Sequence, residues 1–352
     1  MINLYNKPIA IYGAGNLGLK VFELLKSKEV PCKYIIDKYK KLDIEGVTSI
    51  TLDEVGEISD KESLTVILCT LFASVPNSDI IIELETKKFK SIIHAGVLSN
   101  VFPNEFNHFF LTSQKNIDSH KLEIDKTRSL FKENVSIKLF DELMDLRYSL
   151  NFFNLSLPDI DNNYFPPDLQ NILYNDFEKI VYCDIGAYNG DTFTDLEKRS
   201  DNKLKHYIGF EPEKTLFDQL SQKTKTSKIS CEIYQYGTWD SDTKFYFGEK
   251  DQSSAINNSG GDYEINCVCL DSFNFTEKPT IYKMDIEGAE LPTLRGMKNI
   301  IKNQRPILEV CLYHKPNDMW EIPLYIHSLN PAYKFFLRAH EYNGLQTVLY
   351  CV

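Results

Sequence analysis

The residues best suited to chemistry lie in one stretch, Val181-Tyr182-Cys183-Asp184-Ile185-Gly186-Ala187-Tyr188-Asn189-Gly190-Asp191-Thr192. It reads as a buried strand, a glycine-rich turn and the start of a helix. A doubly wound α/β sheet presents a nucleotide-like cofactor in this way, at the carboxyl ends of its strands. Asp184, Gly186, Ala187, Tyr188, Gly190, Asp191 and Thr192 are therefore candidate cofactor-binding residues, together with Asp285 at the end of a later strand. Glu211 closes the next strand, HYIGFEP, where a carboxylate can accept hydrogen bonds from both ribose hydroxyls. Carboxylates at Asp184 and Asp191 would repel a pyrophosphate. They suit a cofactor bearing an ammonium and a sulfonium, which is S-adenosylmethionine.

Further polar residues stand where later strands end. Asp285 ends IYKMD and is the first choice for a base or acceptor-orienting carboxylate, with Glu287 and Glu290 in the next turn. Glu309 lies among apolar residues in ILEVCL, a costly place for a carboxylate that is neither paired nor functional. His314 titrates in the range a neutral-pH base needs, and His340 ends YKFFLRAH. Thr238 and Trp239 follow the third strand, and Trp239 could stack on a ligand's ring or lie in the core. Asp285, Glu287, Glu309 and a histidine could also hold a hard divalent cation with waters.

A second glycine loop, Gly13-Ala14-Gly15-Asn16-Leu17-Gly18, has dinucleotide-fingerprint spacing, and Asp37 ends the next strand. No catalytic set for hydride transfer accompanies it. His94 stands alone and reads as structural. The loop is open to a structural role, a nucleotide or nucleotide-sugar role, or redox chemistry.

Positioning these groups requires strands alternating with helices, hence parallel pairing and right-handed crossovers. Residues 1–105 read as a smaller Rossmann-like α/β domain, with PIAIYG, CKYIID, LTVILCT and SIIHAG as strands. Residues 106–178 read as a helical connector and a linker or lid. Its proline- and asparagine-rich end, NFFNLSLPDIDNNYFPPDLQ, carries aromatics that should pack on the second domain. Residues 179–352 form that larger α/β domain, closed by an antiparallel hairpin of YKFFLRAH and LQTVLYCV.

The chain has 352 residues, which favours two domains, and a net charge of −11, which argues against a general nucleic-acid partner. No apolar run reaches membrane-spanning length, and the start MINLYNKP lacks a signal peptide's layout. A cytoplasmic protein with its eight cysteines reduced is expected.

DIGAYNGDT, FEP, LDSF, YKMDIEGAE and RPILEV, in that order across residues 179–315, resemble the FkbM family of S-adenosylmethionine-dependent methyltransferases. The closing segment, CLYHKPNDMWEIPLYIHSL with YKFFLRAHEYN and TVLY, resembles a subset found in glycan-modification loci. The resemblance implies a seven-stranded class I methyltransferase fold, Rossmann-like, for the C-terminal domain, with S-adenosylmethionine as cofactor. It also places Ser253, Ser254 and Ala255 in a loop near that cofactor, and the adenine ring by Thr238 and Trp239. The reaction it implies is O-methylation of a sugar hydroxyl in a bacterial surface glycan or its precursor. N-methylation of an amine-bearing glycan decoration is the alternative. The partner would be a small-molecule or glycan acceptor, and a homo-oligomer is compatible with it. Readings of another class are a nicotinamide-dependent enzyme centred on GAGNLG and a non-catalytic assembly protein.

Overall fold

The computed structural model describes residues 4, 7–44, 46–72, 75–106, 108–175, 177–200, 202–247 and 263–352. Ser253, Ser254, Ala255 and the turn at 257–261 lie outside the described residues. The chain divides into two compact units. One comprises Met1–Lys121, Leu139–Pro158 and Glu341–Leu345; the other comprises Leu122–Lys138, Asp159–His340 and Gln346–Val352. Among the described residues no helix is long and apolar enough to cross a membrane.

The first unit is built on five parallel strands, β1 (Ile9–Tyr12), β2 (Cys32–Asp37), β3 (Thr48–Thr51), β4 (Thr65–Leu68) and β5 (Ser91–His94), in the order β3-β2-β1-β4-β5. The sequences IAIY and TVIL are buried at every position, as central strands covered on both faces must be. The helix Asn16–Ser27 buries Leu17, Val21, Phe22 and Leu25 along one side. Its glycine loop is shaped by packing. Gly13 has φ +103°, and a Cβ there would lie 2.7 Å from the Cys69 carbonyl oxygen. A Cβ on Gly18 would lie 1.9 Å from the Gly13 oxygen. Asp37 closes the loop: its carboxylate accepts from the Ala14 amide at 2.8 Å and the Tyr39 amide at 2.9 Å. His94 is buried, its Nδ1 accepts from the Gly96 amide at 3.0 Å, and burial pulls its pKa down to about 3. It is a neutral local cap.

The second unit carries β6 (Ile180–Ile185), β7 (Leu204–Phe210), β8 (Ser230–Tyr234), β9 (Gly237–Thr238), β10 (Thr243–Phe247), β11 (Tyr263–Val268), β12 (Ile281–Met284), β13 (Ile307–Cys311), β14 (Phe335–Ala339) and β15 (Thr347–Cys351). Seven of them form a mixed sheet in the order β14-β15-β13-β12-β6-β7-β8, parallel except where β15 pairs antiparallel with β13 and β14. This is the seven-stranded Rossmann-like sheet expected from the sequence. The stretch ISCEIYQYGTW reads as one strand by sequence but divides into β8 and β9. β9 leaves the large sheet and pairs with β11 in a three-stranded sheet, β10-β11-β9. The break falls at exposed Gln235 and Tyr236.

The proline-rich stretch is tied to this unit. Arg338 donates to the Asp168 carboxylate at 3.1 Å through Nε and to Glu133 at 2.6 Å. Arg199 donates to Asn162 Oδ1 at 2.7 Å and to the Asp161 carbonyl at 2.9 Å. All eight cysteines are free thiols, buried or half-buried.

Gly18→Ala should destabilise the first unit by roughly 1–3 kcal/mol, the cost of overpacking a filled contact. Gly15→Ala, whose Cβ would meet nothing within 4 Å, should change stability far less. Chemical denaturation of the two variants checks this contrast.

Candidate active site

Strand register brings the site's foundations together. Asp184 on β6 pairs with Lys283 on β12, and Lys283 with Glu309 on β13, so all three side chains share one face of the sheet. Each is almost wholly buried. Lys283 Nζ stands 2.9 Å from Asp184 Oδ1 and donates to the Gly186 carbonyl at 2.8 Å. The Tyr207 hydroxyl donates to Asp184 Oδ2 at 2.8 Å. Burial disfavours the Lys283 ammonium, yet the carboxylates of Asp184 and Asp285 outweigh it and hold the amine protonated. The Asp184 carboxylate thus belongs to the floor of the site, where an internal cation already neutralises it.

Glu309 is also placed beneath the site. Tyr174 donates to its Oε1 at 2.7 Å and Tyr182 to its Oε2 at 2.6 Å. Burial raises its carboxyl to about 7, against the pull of those two hydroxyls. It has no exposed surface.

The glycine loop lies above this floor. Gly186 has φ +78°, and a Cβ there would come within 2.0 Å of the Asp285 carbonyl oxygen, so the loop and the end of β12 touch backbone to backbone. The Gly186 and Ala187 amides donate to the Phe210 carbonyl, each at 3.0 Å. Tyr188 is exposed, and its amide donates to Glu211 Oε2 at 2.9 Å. Glu211 Oε1 accepts from the Glu213 amide at 2.9 Å. Burial raises this carboxyl to about 7, and the two amides oppose the rise. Gly190 takes the left-handed conformation at the helix start; Asp191 is exposed, and its carboxylate accepts from the Thr192 amide at 2.8 Å.

Asp285 ends β12 beside this loop with a side chain 20% exposed. Its Oδ2 accepts from the Tyr164 hydroxyl at 2.7 Å and its Oδ1 from the Tyr313 hydroxyl at 2.9 Å. Gln346 Nε2 in turn donates to Tyr313 at 2.8 Å. Burial works against the ionised form, but the charges of His314 and Lys283 and the two hydroxyls prevail, and the carboxyl lies below its ordinary value. His314 is ringed by acids: Nδ1 is 2.7 Å from Glu290 Oε1, and Nε2 is 3.3 Å from Asp285 and 3.7 Å from Glu287. Although burial disfavours its charge, these carboxylates raise it to about 9. At neutral pH these carboxylates favour its imidazolium form. Glu287 is the exposed member of the group, in a left-handed backbone at φ +54° next to Gly288 at φ +94°.

Three other expectations land elsewhere. His340 is 1% exposed, with Nδ1 3.1 Å from the Asp159 carbonyl and Nε2 2.8 Å from the Tyr350 hydroxyl, and burial lowers its pKa. Both ring nitrogens are engaged inside the protein. The Thr238 hydroxyl is buried against that of Thr293 at 2.7 Å, and the Trp239 ring meets Phe245 edge-on at 4.7 Å. Trp239 is packing for the small sheet. Among the described residues no group of three carboxylate, histidine or cysteine side chains could hold a metal ion.

The sequence reading missed Tyr164, Tyr174 and Tyr313. Tyr164 and Tyr174 come from the proline-rich stretch, where no periodicity marks which aromatics face inward. Tyr313 follows β13 and precedes His314, and was masked by the more obvious titratable neighbour.

Lys283→Met leaves Asp184 as a buried unpaired charge and should cost about 3–5 kcal/mol. Adding Asp184→Asn should recover part of the loss; urea denaturation reads both. His314 gives a pH signature. Its folded pKa of about 9 exceeds the unfolded value, so its stabilisation is complete below about pH 6.5 and disappears as pH rises through about 9. Stability of the parent protein should therefore fall across that window relative to His314→Gln, by a few kcal/mol in all.

Residues 184–342 match the family described as the methyltransferase FkbM domain. The structure is similar to that of methyltransferase FkbM from Methylobacillus flagellatus KT, with a TM-score of 0.79 at 16% identity, covering 98% of this chain and 90% of that one. Weaker likenesses include a putative rRNA methylase from Clostridium thermocellum (TM-score 0.34, 9% identity, 56% of this chain and 96% of that one). Another is Aeropyrum pernix fibrillarin with S-adenosyl-L-methionine bound (TM-score 0.30, 9% identity, 50% and 67%). No match was found among curated proteins. Residues 184–342 thus match the methyltransferase FkbM domain, and the chain shares the fold of a solved methyltransferase FkbM.

Proposed function

We propose that the protein methylates a hydroxyl group on a glycan or glycan precursor, binding S-adenosylmethionine across the carboxyl ends of β6, β7 and β12. The observation that carries this reading is the convergence of the Gly186–Gly190 loop, Glu211 and Asp285 at one sheet edge. The residues fit such a cofactor. Glu211 keeps lone pairs for a ribose diol beyond the two amides it accepts. The close backbone approach of Gly186 to Asp285 leaves no side chain between loop and strand end.

When bound, the cofactor supplies an electrophilic methyl group on a positively charged sulfur. The protein's task is to align an acceptor with it and to accept the acceptor's proton. His314 is already protonated, and its place is to hold Asp285, Glu287 and Glu290 together. Glu287 is the carboxylate able to receive the proton. It is exposed, and partial loss of hydration and the like charges of Asp285 and Glu290 raise its carboxyl, against the opposing pull of His314. The glycan character of the acceptor rests on the family resemblance of the closing segment.

Calorimetry with S-adenosylhomocysteine and the full chain tests the cofactor. Binding is expected, and Glu211→Ala should weaken it by about tenfold or more through lost hydrogen bonds to a charged acceptor. A silent titration with the intact protein would end the proposal. Methyl transfer to a panel of nucleotide sugars and glycans tests the acceptor.

A further inference from the structure

The methyltransferase reading leaves open which carboxylate faces the amino-acid end of the cofactor. We infer that this group is Asp285 and not Asp184, and that Tyr164 is the residue that positions it. The inference rests on the methyltransferase reading and refines its cofactor site.

Asp184 has no charge to spare. It is 0% exposed, lies 2.9 Å from the Lys283 ammonium and accepts the Tyr207 hydroxyl. Glu309, next along the sheet, has both oxygens taken by tyrosines. Asp285 differs in three respects. Its side chain reaches the surface at the end of β12. Its backbone carbonyl is the atom against which Gly186 closes the glycine loop. Its direct donors, Tyr164 and Tyr313, are neutral hydroxyls that orient a carboxylate without cancelling its charge. The cation against it on the outer side, His314, is shared with Glu287 and Glu290, so the cluster keeps net negative charge. A ligand ammonium completes it.

Tyr164 is built for this place. It is 4% exposed, with φ +62°, a conformation that tyrosine holds only where its surroundings enforce it. Its hydroxyl reaches Asp285 Oδ2 at 2.7 Å, and its ring lies 5.1 Å from Lys283 Nζ. The anchors Arg338–Asp168 and Arg199–Asn162 fix the segment on either side. Tyr164 thus separates the two carboxylates. Its ring covers the ammonium that serves Asp184, and its hydroxyl aims Asp285 outward.

The test compares two ligands by calorimetry with the full chain. S-adenosylhomocysteine carries the amino-acid end; 5′-methylthioadenosine keeps the adenosine and thioether and lacks it. Asp285→Asn should weaken the first by about 10- to 100-fold and leave the second within about twofold. Tyr164→Phe should weaken the first by about 3- to 10-fold, again sparing the second. Tyr313→Phe, which strips the other hydroxyl, is an independent check in the same direction. Equal loss for both ligands, or no loss in Asp285→Asn, overturns the assignment. So does a selective loss in Asp184→Asn with Lys283→Gln, a pair that keeps the buried site neutral. Wild-type protein that binds neither nucleoside would instead overturn the methyltransferase reading itself.

Discussion

Everything at the candidate-site edge depends on one buried ammonium. Lys283 sits at the centre of a seven-stranded sheet, between Asp184 and Glu309 in register, where an unpaired charge would be intolerable. Its Nζ neutralises Asp184 and also grips the Gly186 carbonyl. The first contact settles the interior; the second fixes the mouth of the glycine loop. Four tyrosines, Tyr164, Tyr174, Tyr182 and Tyr207, surround this row with a ring or a hydroxyl. Charge is thus sorted by depth: compensated and hydrogen-bonded below, acidic and partly open above.

The two units use one closure twice. In each, an acid ending the second strand accepts an amide from the glycine loop and another two residues downstream: Asp37 from Ala14 and Tyr39, Glu211 from Tyr188 and Glu213. The difference lies at the neighbouring strand. After β12 stand Asp285, Glu287 and Glu290, gathered by His314. After β4 stand Cys69 and Thr70, and the one histidine of interest in that unit, His94, is a buried neutral cap. A glycine loop is a backbone device; what it serves is decided by the side chains at the adjacent strand end.

The α/β alternation, both glycine loops and the closing hairpin were legible because continuous apolar strands and glycine spacing are local signals. Asp285 was legible as well, since an acid ending a strand of that sheet must fall at the common edge. Asp184 and Glu309 were harder. Sequence shows that a buried carboxylate needs a partner, and only register reveals that Lys283 and two tyrosines supply it. The surroundings of His314 were hidden for the same reason: three acids from another connection raise its pKa, and none is adjacent in sequence. For Trp239 the sequence left ligand stacking and core packing open, because the small sheet that brings Phe245 against its ring forms only when β9 and β10 pair with β11.

Tyr164 precedes the first strand of the large sheet, and Gln346 lies in the turn before its last. Both fall outside the 184–342 span that carries the family likeness. The methyltransferase unit is therefore not a portable cassette. A fragment trimmed to that span would keep the glycine loop, Glu211 and the acids around His314. It would lose β15, the hydroxyl that aims Asp285 and the cover over Lys283. Transplanting or shuffling this domain means taking Leu122–Lys138 together with the chain from Asp159 through to Val352, with the short excursion at 341–345 included.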